Sequence, residues 1–265
     1  MKIKDLDYKI PRELIALFPK KPRDESKLVI TGKDFRTVKF KELINELKPK
    51  DALIFNNTKV IKANFDGIIN GKKISLNLNK LEDKQKNIWS VFIKTKQRIR
   101  KNDKIKFFES LYAIVNSVEK EKNQIFFFLK FNVSFSELNK ILKVHGRMPI
   151  PPYIQKRGFN DSDSNDYQTI FAVKDGAVAA PTASLHFTDE LIQNLKRRKI
   201  KIIKITLHVN GGTFLPIKAD DILDHKMHFE DGIISNKSAD EINKTKNEGG
   251  RVIAVGTTVL RLLES

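Results

Sequence analysis

The chain has 265 residues, with 50 Lys and Arg against 32 Asp and Glu, a formal net charge of +18 and no cysteine. This excludes a disulfide framework, a thiolate nucleophile and a cysteine-based zinc site. The positive excess fits a polyanionic partner, although a Lys-, Ile-, Asn- and Phe-rich bias of the kind an A/T-rich genome imposes produces the same charge without one.

Such a length holds one large domain or two smaller ones. The start, Met1 to Tyr8, lacks the apolar core of a signal peptide. No uncharged run approaches the ~20 residues of a spanning helix. A cytoplasmic protein without a membrane span is therefore expected, and a monomer.

Residues 1–62 mix short elements. Pro11 opens a short helix through Ala16, Arg23 to Ser26 form a polar turn, and Lys27 to Ile30 read as a strand. Phe40 to Leu47 carry apolar residues at helical spacing. Asp51 to Phe55 read as a buried strand that ends in the polar turn Asn56-Asn57-Thr58. Arg23 and Asp24 form a surface pair or contact a ligand, and Asn56, Asn57 and Thr58 form an Asx turn or a binding loop.

From residue 63 to 144 short alternating runs follow at near-regular spacing, which predicts a small β-barrel inserted into the first unit. Lys94, Lys96, Arg98 and Arg100 alternate, so a strand there places four cations on one face, with Lys101 following. Such a face favours an anion, RNA included, over mere solvation.

Residues 145–265 return to loops, helices and strands. Asp161 to Asp166 read as a flexible acidic linker. The uncharged, small-residue stretch Gly176 to Thr188 delivers His186 just before a helix that Thr188 caps. The strand Lys201 to Val209 runs into Asn210-Gly211-Gly212-Thr213, and Arg251 to Val255 into Gly256-Thr257-Thr258. In α/β sheets such loops lie at the carboxyl ends of strands, where ligands bind. The expected fold is thus an α/β main domain, residues 1–62 with 145–265, carrying the inserted barrel.

Neither Gly-Thr loop has the GxxxxGK[ST] or GxGxxG spacing. His225, His228 and Glu230 could ligate a metal as in a hydrolase, yet they lack the His-Glu-x-x-His pattern, and no metal site is expected. Histidine in such loops suits proton transfer or ligand hydrogen bonding.

Eight segments, in order, resemble one family. They are DYKIPRELIALFPKKPRDESKL from Asp7, DALIFNNTKVIKA from Asp51, HGRMPIPPYI from His145, DYQTIFA from Asp166, GAVAAPTASLHFT from Gly176, HVNGGTF from His208, HKMHFE from His225 and VGTTVLRLLE from Val255. The resemblance is to the S-adenosylmethionine:tRNA ribosyltransferase-isomerases of queuosine biosynthesis, and it runs from Asp7 to Glu264. It implies an α/β domain with an inserted barrel. It also implies transfer and isomerisation of the ribosyl part of S-adenosylmethionine onto 7-aminomethyl-7-deazaguanine in tRNA, with adenine and methionine released. S-adenosylmethionine is then a co-substrate and no resident cofactor is expected.

Under that resemblance one of His186, His208, His225 and His228 is the base that removes a C5′ proton, with Glu230 orienting it. Thr182, Thr213, Thr257 and Thr258 hydrogen-bond ribose or the methionine part, and Arg23 and Arg147 contact tRNA or a carboxylate. Ser184 and Asn210 stand where the family usually has glycine, and family members continue past the position matching Ser265. The second expectation is therefore a non-catalytic tRNA-binding remnant or fragment of that enzyme.

Overall fold

The computed structural model describes residues 2–265 except 33, 109, 122, 123, 216, 218 and 226, and Lys226 of the HKMHFE segment is among those outside the description. Its strands are β1 (Lys27–Ile30), β2 (Arg36–Lys39), β3 (Ala52–Asn56), β4 (Thr58–Val60), β5 (Asn64–Ile69), β6 (Lys72–Asp83), β7 (Ile88–Lys94), β8 (Lys104–Lys106), β9 (Tyr112–Glu121), β10 (Gln124–Phe131), β11 (Lys174–Ala177), β12 (Lys201–Leu207), β13 (Gly232–Ile233) and β14 (Val252–Ala254). Its α-helices are α1 (Phe135–His145), α2 (Pro152–Gln155), α3 (Asp163–Asp166), α4 (Asp189–Arg197), α5 (Asn236–Asn247) and α6 (Thr257–Leu263).

The main sheet has the order β13-β12-β3-β14, with β12 and β14 both parallel to β3. All five residues of β3 are buried, as a parallel strand covered on both faces requires. Leu53 and Phe55 join Phe187, Leu191 and Leu195 of the α4 side. Ala52 and Ile54 face the other way and join Ile242 of α5 and Val259 of α6. The strand alternation thus feeds two separate cores, one per face. Helix α4 starts where the sequence predicts: the Thr188 hydroxyl accepts from the Leu191 N–H at 3.2 Å.

The inserted unit is a closed barrel in the order β10-β7-β6-β5-β8-β9. Phe65, Leu76, Leu78, Trp89, Val91 and Leu129 fill it, and Leu138 and Leu142 of α1 pack onto the same core. Trp89 donates its indole N–H to Asn87 Oδ1 at 2.9 Å, so the one polar atom of this buried ring is satisfied.

Two local expectations are corrected. Residues 95–103 are not a strand: β7 ends at Lys94. The Thr95 hydroxyl accepts from the Gln97 N–H at 3.0 Å, a local turn that competes with ladder pairing. Lys94, Lys96, Arg98, Arg100 and Lys101 are all exposed nonetheless, while Ile99 between them is buried. The acidic segment is not a linker either. Asp163 is buried, pairs with Arg157 and lies in α3.

Candidate active site

Because β12 and β14 run parallel to β3, their carboxyl ends share one edge of the sheet. Asn56-Asn57-Thr58, His208 to Gly212 and Val255 to Thr258 therefore converge there. The stretch around Gly176 joins them through β11, which pairs with β4, and through Val178 and Ala179, whose N–H groups donate to the Val209 carbonyl at 2.8 and 3.2 Å.

His208 is the most closely held histidine of this edge. Its Nδ1 lies 2.8 Å from Thr58 Oγ1, and that hydroxyl lies 3.5 Å from the Lys174 carbonyl oxygen. Gly176 lies against the ring at φ +145°, and a Cβ built there would sit 2.9 Å from Nδ1. Glycine is needed on both counts, since the backbone is in a region side chains rarely adopt and the imidazole leaves no room. Burial pushes the His208 imidazole below its ordinary pKa, against an opposing pull from Asp231.

His186 also lies below its usual value. Burial is the main cause, and a hydrogen bond with the Arg23 backbone opposes it. Its ring lies 5.1 Å from that of Phe40. His228 is exposed and faces Gly212, where a built Cβ would come within 2.7 Å of Cδ2. His225 is half-buried.

Glu230 does not orient a histidine. Its Oε1 accepts from the Asn210 N–H at 2.9 Å and its Oε2 from Arg261 Nη1 at 2.7 Å. Arg261 also donates to the His228 carbonyl at 2.6 Å. One carboxylate therefore brackets the 208–214 loop, the 225–230 segment and α6. Among the described residues, no three His, Asp or Glu side chains gather in a group that could hold a metal ion.

The threonines differ in placement. Thr182, Thr213 and Thr257 are exposed at the loop tips, whereas Thr258 Oγ1 is buried with no hydrogen-bond partner. Ser184 Oγ is likewise buried and unpartnered. Ala183 packs on Gly256, where a built Cβ would lie 3.1 Å away, so the loops bearing Ser184 and Thr258 touch. Asn210, at φ −80° and ψ 164°, sits in ordinary extended backbone and needs no glycine.

Four residues expected to contact ligand have structural partners. Both Asn56 side-chain atoms pair with backbone, the amide donating to the Leu207 carbonyl and the oxygen accepting from the Thr58 and Leu207 N–H groups. Asn57 Oδ1 accepts from the Thr206 hydroxyl at 2.7 Å. Arg23 donates to the carbonyls of Asn165 and Gln168 at 2.6 and 2.7 Å. Arg147 forks onto Asp66 at 2.7 and 2.8 Å and reaches Asn64 Oδ1 at 2.8 Å. The bidentate Arg147–Asp66 pair is geometrically complete, and the two carbonyl contacts of Arg23 tie its turn to residues 165–168, so both cations fasten the fold. Asp24 accepts from the Thr188 hydroxyl at 2.9 Å and borders a cavity of about 330 Å³.

The family described as "Queuosine biosynthesis protein" matches residues 3–265. The chain belongs to the queuosine biosynthesis protein family. A relative from Zymomonas mobilis, named S-adenosylmethionine:tRNA ribosyltransferase-isomerase, is 44% identical over 267 residues, covering 100% of this chain and 76% of its own. Relatives of the same name from Novosphingobium aromaticivorans and a Sulfurihydrogenibium species are 42% and 39% identical, each across 100% of this chain and 77% and 78% of theirs. A solved structure, the S-adenosylmethionine tRNA ribosyltransferase of Thermotoga maritima, aligns with TM-score 0.43 at 25% identity over 97% of this chain and 71% of that one.

In this family member the sequence reading passed over Arg261, although it stands in the last of the eight segments. Its only signal was a lone cation in the last turn of α6, and nothing in the sequence joined it to Glu230, 31 residues earlier.

Proposed function

We propose that this chain transfers and isomerises the ribosyl moiety of S-adenosylmethionine onto 7-aminomethyl-7-deazaguanine in tRNA, giving epoxyqueuosine and releasing adenine and methionine. The observation that carries this reading is 44% identity, across the whole chain, to a relative named for the reaction. Identity of that order along the whole chain does not favour a non-catalytic remnant. S-adenosylmethionine is consumed as a co-substrate, and the chemistry needs no resident cofactor. On this reading the enzyme acts as a monomer, in the cytoplasm where tRNA is processed.

The sulfonium acidifies the C5′ protons. His208 is the base best placed to take one. With Nδ1–H donating to Thr58 Oγ1, the lone pair sits on Nε2, and the lowered pKa keeps the ring neutral. The electron pair left on C5′ forms a C4′–C5′ double bond, and the C4′–O4′ bond breaks. O4′ becomes a carbonyl oxygen on C1′, and adenine leaves with the C1′–N9 electrons and takes up a proton. The aminomethyl nitrogen of the tRNA base adds to C4′ of the vinyl sulfonium and loses a proton, which returns an electron pair to C5′. That pair attacks C1′ and closes the five-membered carbocycle, and the O4′ alkoxide so formed displaces methionine from C5′ to give the epoxide. His186, His225 and His228 protonate adenine or hold the substrate, while Glu230 fixes the loop rather than a ring. Thr182, Thr213 and Thr257 offer hydroxyls to ribose and the methionine part, and Thr258 donates once its loop opens. The exposed cations Lys94, Lys96, Arg98, Arg100 and Lys101 take RNA phosphates.

The deciding experiment incubates the protein with S-adenosylmethionine and an anticodon stem-loop carrying the precursor base, and follows adenine by chromatography. Release that depends on the RNA is expected. RNA binding without adenine release would overturn the reading.

A further inference from the structure

A cleft of about 310 Å³ lies where α1 meets the segment that leads from β4 into the barrel, and its residues Lys59 and Asp175 adjoin Thr58 and Gly176, which hold His208. Lys59, Lys62 and Lys143 line it. Asp175, the cross-strand neighbour of Lys59, is the acid on its rim. Among the described residues none of the three lysines forms an ion pair. Two positive charges therefore remain uncompensated in one concavity.

The chain is built to bring them together. Gly146 ends α1 directly on Lys62, and a Cβ there would collide with the Lys62 carbonyl oxygen and Cβ. That close approach sets Lys143, one turn back along α1, beside Lys62. Asn139 stands one turn further back on the same helix face and lines the cleft too. It is 9% exposed, and its Oδ1 is buried without a hydrogen-bond partner. Clustered ammonium groups beside an unsatisfied acceptor suit a ligand that carries both an anion and a hydroxyl donor. One nucleotide step of an RNA backbone supplies a phosphate and a ribose 2′-hydroxyl.

We propose that this cleft is a second RNA-backbone subsite, in which Lys59, Lys62 and Lys143 hold phosphate and Asn139 accepts from a 2′-hydroxyl. The inference rests on tRNA being the substrate, and it adds a contact separate from the 94–101 cations of the barrel.

The test is fluorescence anisotropy of an anticodon stem-loop RNA against salt concentration, with the variant Lys59→Gln/Lys62→Gln/Lys143→Gln. Each phosphate contact contributes about 0.7 to 0.9 to the slope of log affinity against log salt, so the slope falls by about 2 and binding weakens roughly 50-fold near 0.15 M salt. The variant Lys237→Gln/Lys244→Gln/Lys246→Gln removes the same charge from α5 and serves as the reference; its slope stays that of the parent. A 2′-deoxy stem-loop binds the parent protein less tightly than RNA does, and Asn139→Ala narrows that gap. Circular dichroism and melting temperature confirm that each variant folds, and the three single Lys→Gln variants replace the triple one if it does not. An unchanged slope in the folded cleft variants, or an equal fall in the α5 variant, would overturn the proposal. Failure of the parent protein to release adenine would instead strike the proposed activity and leave the binding result standing.

Discussion

Replacing Glu230 by Gln probes the bracket that joins the 208–214 loop, the 225–230 segment and α6. The carboxylate is 9% exposed and uses both oxygens, one on the Asn210 N–H and one on Arg261. Gln has the same shape but one acceptor, so its amide N–H₂ must face either the Asn210 N–H or the guanidinium. Losing one charge-assisted bond in so enclosed a position costs about 2 kcal/mol. For a chain of this length the unfolding entropy is roughly 0.55 kcal/mol per degree, so the melting temperature falls by about 4 °C. The greater effect is on rate. Arg261 also holds the His228 carbonyl, so loosening the bracket frees the 208–214 loop and the 225–230 segment together. A displacement on the order of 1 Å lowers kcat/KM for adenine release about 100-fold. The assay is a double-mutant cycle on adenine release and thermal melting with Glu230→Gln, Arg261→Gln and both. If the bracket acts as one unit, the double variant is no worse than the poorer single one, and the coupling exceeds about 1 kcal/mol. Additive losses, or a Glu230→Gln enzyme with parental kcat/KM, would refute the reasoning.

His208→Gln abolishes adenine release. Because burial places the His208 pKa below 6.5, the parental rate holds as pH drops to 6.5 and falls only at lower pH, as the ring gains its proton; a profile already half lost above pH 6.5 contradicts the assignment. Gly176→Ala forces a side chain into a φ of +145° and against His208 Nδ1. It should cost about 1–3 kcal/mol in urea unfolding and depress adenine release with it. Asp51→Asn tests the opposite edge of the sheet. Burial alone would raise the Asp51 pKa, yet Arg251 and the N–H groups of Lys48 and Arg251 outweigh it and hold it at about 2. The charged carboxylate therefore contributes about 2 kcal/mol above pH ~4, lost as pH falls toward 2. Urea midpoints of parent and Asn variant should differ at pH 7 and converge near pH 2.

The main-sheet strands were legible because burial on two faces leaves continuous apolar runs such as Ala52 to Phe55, and the barrel because its strands are separated by polar turns. Helix α1 was not separated from the barrel texture, since Phe135, Leu138 and Leu142 serve the same core as the strands before it. The basic segment after Lys94 kept its alternation of exposure while losing its strand, because the Thr95 hydroxyl took the N–H that a ladder would use. Among the site residues, chemistry was visible and employment was not. Asn56, Arg23 and Arg147 are polar residues in resembling segments, but their partners lie 81 to 151 residues away in the chain. His208 and Gly176 could be named from the sequence, yet their contact exists only because β11 and β12 deliver them to the same sheet edge.

The barrel leaves and rejoins the rest of the chain at two points that touch. Asn64 and Arg147 exchange both backbone hydrogen bonds, at 3.1 and 2.7 Å, and Arg147 clamps Asp66 across the junction. Two paired crossings resist twisting of the barrel about its connection. Gly211 in turn rests on Asn79 and Phe92 of the barrel. A barrel displaced about that junction would therefore press on or release the very loop that carries His208, and the two units cannot shift independently of each other.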